Sequence, residues 1–376
     1  MTTIQFKLGP WSDMADLFAW DSSSGEELTD WIAHGLNQTM QRDGLLGAWA
    51  DVYESGGDTL SVKMSAEFGE VKRYAKIVPA FIAAARIGFA AYQAHRSTIE
   101  KGKLFFWLPT GLTMLKTRSV QLLHYPPYEA RTFSDYLYSP TNRRWEALLG
   151  SNGYDIEHVT PLERICDVVP LAGPGSDATV INEVEPYFMP YGRAMLSVLL
   201  DQSRDRTQPV VAYGGPAHGW LKSAFPKQIR RMPALFSLLE LRVGAGKAVT
   251  PVLCANHPSE FLFFSEPGHD AKWAFDIMMQ DLIAARWQAE MAENRDADPA
   301  KVLRESKEFW YGKPDAVHAI VAAQEEVYGY AKQSPAVRNP TGGKIATGPT
   351  AASVVTTLPR KPGVTTPRRT PARRSR

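Results

Sequence analysis

Five short apolar runs, most of them separated by enough chain for a helix, constrain the fold of this chain more than any other feature. They are Leu104–Leu108, Ser119–Leu123, Arg164–Pro170, Pro209–Tyr213 and Val249–Ala255. Each is mostly apolar, broken by Ser119 and Gln121 in the second, Arg164 and Asp167 in the third and Thr250 in the fifth, and reads more as a buried strand than as a half-wet antiparallel one. Between them, Asn142–Leu149 and Asn182–Asp201 carry helical periodicity. Continuous apolar strands alternating with helices predict an α/β fold: three layers, α/β/α, around a mostly parallel central sheet. In such sheets the working residues stand in loops at the carboxyl ends of the strands.

Composition agrees with a packed domain. Of 376 residues, 44% are hydrophobic and 22% charged, close to the globular average. Cys166 and Cys254 are the two cysteines. They rule out a disulfide framework and any four-cysteine zinc or iron–sulfur site. His269 and Asp270 have no Cys/His cluster around them, so the sequence implies no metal and no cofactor. The start, Met1–Lys7, lacks a basic region followed by an apolar stretch. The most apolar segment, Ile77–Tyr92, contains Pro79 and Arg86 and is too short to span a bilayer. The expectation is a soluble cytoplasmic protein, associated with the nucleoid, with no membrane partner.

Four regions are expected. Residues 1–115 read as a mainly helical N-terminal region, with helical runs over 26–53 and 66–101, a start or kink at Pro79, and a short strand over 58–62. Residues 116–270 hold the α/β domain. Residues 271–333 return to helix (271–294, 299–309 and 315–332) and pack beside the sheet. Residues 334–376 carry nine Lys or Arg, no Asp or Glu and no aromatic residue. Such a segment cannot bury enough surface to offset its ordering entropy, which predicts a disordered basic tail. The whole chain has a formal net charge of +2, so the nine cations of the tail leave −7 over residues 1–333. A basic tail on an acidic body suits an anionic partner, DNA phosphates foremost, or a solubilising or partner-docking role.

The strand ends form an ordered series. After the 119–123 run comes His124-Tyr125-Pro126-Pro127-Tyr128-Glu129. The third run contains Cys166-Asp167-Val168-Val169-Pro170 and leads into a Gly/Pro-rich loop, 172–175. The fourth ends in Gly214-Gly215-Pro216-Ala217, and the fifth in Asn256-His257-Pro258-Ser259. This order resembles the uracil-DNA glycosylase superfamily over about residues 119–262. That family has a water-activating loop with a Pro-Tyr or Pro-Gly element after its first strand. It has a polar residue after a later strand, then a strand ending in Gly-x-x-Ala, and lastly a strand ending in His-Pro-Ser that carries a catalytic histidine.

The resemblance implies a DNA glycosylase, a hydrolase of N-glycosidic bonds that flips an altered base, such as a modified pyrimidine, out of DNA for repair or antiviral defence. His257 matches the family histidine, and a neutral imidazole can donate one proton to the departing base, where negative charge develops. Asn256 lies beside it, and Ser259 suits a phosphate of the flipped nucleotide. Tyr128 is placed for stacking on the base. Gly214 marks the Gly-x-x-Ala strand end. Phe261 and Leu262 match the apolar wedge. The water-orienting acid of the best-known branch is replaced here by Pro126, so that role falls to Asp167 or Glu129, or is absent.

Structural readings stand beside these. His257 fits a helix-capping histidine, and Asp167 an N-cap or Asx turn. Tyr128 fits turn packing and Glu129 a solvated charge. Phe261 to Phe264 fit a buried core. Three functions follow: the glycosylase, a catalytically inactive DNA- or protein-binding module on the same fold, and an interaction protein whose helical flanks do the work.

Overall fold

Four of the five apolar runs become neighbouring parallel strands. The computed structural model of the chain describes residues 2–7, 50–54, 59–64, 71–106, 119–126, 139–154, 165–173, 178–201, 208–243, 249–261, 271–294 and 296–333. Residues Met1–Pro335 form one compact unit and Ala336–Arg376 a second, which lies outside the described residues together with the rest of the expected basic tail.

In chain order the elements are β1 (Thr2–Lys7), β2 (Ala50–Glu54), β3 (Thr59–Met64), α1 (Val71–Ala94), α2 (Arg96–Lys101), β4 (Phe105–Phe106), β5 (Val120–Leu123), α3 (Pro140–Ser151), β6 (Ile165–Asp167), β7 (Leu171–Ala172), α4 (Ala178–Asp201), β8 (Val210–Tyr213), α5 (Gly214–Ala224), β9 (Leu238–Leu241), β10 (Thr250–Ala255), α6 (Ala271–Glu293), α7 (Pro299–Tyr311) and α8 (Pro314–Gln333).

The central sheet has the order β6-β5-β8-β10-β9. The first four strands are parallel, and β9 is an antiparallel edge paired with β10. Every residue of β5, β8 and β10 is buried. That burial explains the largely apolar runs, since helices cover both faces; Gln121 and Thr250 are buried polar exceptions. On one face Val120, Leu122, Val210, Ala212, Val252 and Cys254 share a core with α1, α4 and α5. On the other, Leu123, Val211, Leu253 and Ala255 share a core with α3, α6, α7 and α8.

The connection from β5 to β6 runs through α3, and the return from β6 to β8 through α4 on the opposite face. The chain therefore leaves β5 in one direction and leaves β8 in the other, so a topological switch point lies between these two strands. Open α/β sheets place their ligands in the crevice outside the carboxyl ends at such a point.

The helices begin where the sequence supplies caps. Ser139 accepts from the Asn142 amide ahead of Pro140 in the first turn of α3, and Asp298 accepts from the Ala300 amide ahead of Pro299 in α7. A buried polar chain ties the sheet to its covering helices. Trp145 donates to the Tyr213 hydroxyl at 2.7 Å, Tyr213 donates to Gln288 at 2.9 Å, and Gln288 donates to Ser119 at 3.0 Å. Tyr213 is the last residue of β8, so this chain fixes the height at which Gly214 leaves the sheet.

Several expectations need correction. The N-terminal region contains an antiparallel sheet of order β1-β3-β2. Residues 50–53, read as the end of a helix, are strand, because pairing with β3 overrides a weak apolar period interrupted by Gly44 and Gly47. Residues 26–49 lie outside the described residues. α1 does not start at Pro79 but runs through it, and the helical run is interrupted at His95, between α1 and α2. The Leu104–Leu108 run supplies only β4, which pairs antiparallel with β7 and stands apart from the parallel sheet. β9 is an additional strand, short and half-exposed at the sheet edge, and its Leu-Leu-Glu-Leu sequence lacks the alternation that marks an edge strand. The helix expected over Asn182–Asp201 begins earlier, at Ala178, and contains Pro186 and Pro190, so Glu185 stands inside it.

Among the described residues no helix is long and apolar enough to cross a membrane, and no group of three or more His, Cys, Asp or Glu could hold a metal ion.

Candidate functional site at the carboxyl edge of the sheet

The parallel register sets the level of each strand end. Leu123 pairs with Asp167, and Ala255 with Tyr213. One residue further along stand His124, Val168, Gly214 and Asn256. All four segments singled out in the sequence thus leave the sheet at the same edge.

His257 follows β10. The residue is half-buried, and its Nδ1 accepts from the Ser259 hydroxyl at 2.6 Å and from the Ser259 amide at 3.2 Å. A backbone N–H can only donate, so Nδ1 must carry a lone pair and the ring proton of the neutral imidazole sits on Nε2. Desolvation first, and then the nearby His124, pushes the His257 pKa down to about 4. At neutral pH the ring is uncharged, with a single N–H aimed from Nε2.

Gly214 holds this ring from the side. Its φ is +84°, and a Cβ there would lie 3.1 Å from the His257 Cβ. Only glycine fits both the backbone conformation and the close approach. Gly214 also opens α5, so the positive end of that helix lies against His257.

His124, at the end of β5, is buried. Its Nε2 lies 3.0 Å from Glu185 Oε2, reaching across from α4. The Tyr125 ring stands edge-on to it, with 5.3 Å between centroids. Glu185 is 61 positions from His124, and no motif spacing in the sequence marks the two as partners.

No protein-family model, curated protein or solved structure matches the chain.

The residues expected at the site divide into three groups. His257, Ser259 and Gly214 are brought together. Ser259 is engaged with His257 Nδ1, which makes it a support for the ring where a phosphate contact was expected. Asn256 is held by its amide, which donates to Gln280 of α6 at 2.6 Å, and its side chain is buried.

Asp167 and Phe261 sit elsewhere. Asp167 is 1% exposed and ends β6, with β5 and β8 between it and β10. Three strand spacings separate the two strand ends by roughly 14 Å. Asp167 therefore does not meet His257. Its register partner on the neighbouring strand is Leu123, the residue before His124. Phe261 is 2% exposed and lies beneath the Arg144 guanidinium, 4.2 Å from ring centroid to Cζ, where Arg144 is also paired with Asp281. A ring buried there presents no edge to a duplex. Tyr128, Glu129 and Leu262 lie outside the described residues. Pro126 is described, and it is buried.

Proposed function

We propose that this chain is a DNA glycosylase of the uracil-DNA glycosylase type, hydrolysing the N-glycosidic bond of an altered base turned out of DNA. The observation that carries the proposal is the pair of Ser259 contacts at His257 Nδ1, which leaves the ring proton on Nε2. A neutral imidazole with its proton on Nε2, held by Ser259 at one nitrogen and by Gly214 at the ring's flank, can donate to a base oxygen as the base takes on negative charge. A donor preorganised in this way needs no metal and no cofactor. The common edge reached by the four strand-end segments supports the same reading, as does the switch point between β5 and β8.

Each part of the molecule then has a role. His257 stabilises the leaving base. The start of α5 offers partial positive charge to a nucleotide phosphate. The basic tail holds the protein on DNA through its nine cations.

A second reading is binding without cleavage. It is favoured by the buried Pro126 in the loop where the family activates water, and by the distance of Asp167 from His257. One experiment separates the two. The full chain is incubated with single- and double-stranded oligonucleotides carrying uracil, 5-hydroxymethyluracil or hypoxanthine, and abasic sites are read as alkali-labile breaks. Cleavage of at least one substrate, lost in His257→Ala, supports the glycosylase. Tight binding of an altered-base duplex with no abasic product supports the binding module.

A further inference from the structure

The glycosylase reading leaves open what removes the proton from the attacking water: Pro126 has no acceptor, Glu129 lies outside the described residues, and Asp167 ends β6, three strand spacings from β10. We propose, resting on that reading, that His124 is the base and that Glu185 is its positioning residue.

The geometry is that of an oriented imidazole. Glu185 Oε2 receives a hydrogen bond from His124 Nε2 at 3.0 Å, which leaves the Nδ1 lone pair as the basic site. His124 is more than nine-tenths buried, and its Nδ1 has no hydrogen-bond partner among the described residues. Leaving a buried polar nitrogen unpaired costs free energy, so such an atom marks a place where a ligand or substrate group is to be met. His124 and His257 follow β5 and β10, which flank β8 and end at the same edge of the sheet, so two strand spacings, roughly 10 Å, separate the strand ends that carry them. Their tautomers are complementary, since His257 offers an N–H and His124 offers a lone pair.

In the hydrolytic step the water oxygen bonds to C1′ of the sugar, and the C1′–N bond breaks with its electron pair leaving on the base. His257 Nε2–H donates to the base oxygen. One water proton passes to His124 Nδ1, and the resulting imidazolium faces the Glu185 carboxylate. That proton is later returned through solvent to the released base. Among the described residues, the charged or titratable groups on the elements around His124 are Glu185 from α4, His257 from beyond β10, and Asp167 at the adjoining strand end, with Tyr125 edge-on.

The test is single-turnover base release at pH 7 by the full chain, on whichever of the uracil, 5-hydroxymethyluracil or hypoxanthine oligonucleotides the wild type cleaves best, with duplex binding followed on the same samples. His124→Asn is expected to lower the rate by about 10²–10⁴ with binding near wild type. Glu185→Gln is nearly isosteric. Without the carboxylate the imidazolium formed in the step loses its counter-charge, so the rate is expected to fall while binding is kept. Histidine ¹⁵N NMR on the same proteins should show the neutral His124 ring protonated at Nε2 and bare at Nδ1. The proposal is overturned if both variants keep the wild-type rate, or if Nδ1 carries the proton. Wild-type cleavage with unaffected variants would overturn this assignment alone. No cleavage by the wild type on any substrate would overturn the glycosylase reading, and this assignment with it.

Discussion

A Cβ on Gly214 would stand 3.1 Å from the Cβ of His257, so the end of β8 and the end of β10 are fitted to each other through a missing side chain. The consequence is that His257 can be disturbed without being mutated.

Gly214→Ala should therefore act twice. The φ of +84° costs an alanine about 1–2 kcal/mol, and the added methyl pushes the histidine away from its Ser259 contact. The expected outcome is a folded protein whose stability in urea is lowered by that amount, and base release reduced at least tenfold. Gly215, whose added Cβ would meet open space, is the control: Gly215→Ala should leave base release near wild type.

The depressed pKa of His257 predicts how stability follows pH. In the unfolded chain the ring titrates near 6.5, and in the folded protein at about 4. Between these values the unfolded state binds the extra proton, so stability rises with pH. On acidification the loss begins near pH 6.5 and is complete near pH 4, amounting to about 2–3 kcal/mol from this group. Urea unfolding from pH 4 to 8 should give a flatter curve for His257→Gln than for the wild type. Parallel curves would place the ring in solvent.

Arg144 and Asp281 form a buried ion pair between α3 and α6, next to Phe261. Burial raises the Asp281 pKa, and the guanidinium opposes that rise. Removing one partner leaves the other charge uncompensated. Asp281→Ala should cost about 3–5 kcal/mol in denaturant unfolding, whereas the double replacement Arg144→Met with Asp281→Leu should cost much less.

The cysteines should be inert in the native state. Cys166 and Cys254 are both buried in the sheet core, where desolvation pushes the Cys166 thiol far up and the Cys254 thiol up to about 11. An aromatic disulfide reagent at pH 8 should titrate no thiol until denaturant is added, and then two.

The parallel sheet was legible because full burial on both faces leaves a plain mark, a short run that is apolar at most positions. His257 and Gly214 were legible for a related reason: each follows such a run closely, and carboxyl ends are where these sheets work. What stayed hidden depends on tertiary pairing. β2 is a strand only because β3 lies beside it, and β9 only because β10 offers an edge. Glu185 and His124 meet through the path of α4 over the sheet. Phe261 has a wedge-like place in the order of residues, but Arg144 comes from 117 positions earlier to cover it.

The decisive measurement is single-turnover release of an altered base at pH 7 by the wild type and by His257→Ala, with duplex binding followed on the same samples. The wild type is expected to form abasic sites, and the variant to bind the duplex about as well but to be slower by about 10²–10³, the usual cost of removing one such donor. Equal rates in the two proteins, or no base released by the wild type from any substrate, would refute the glycosylase proposal.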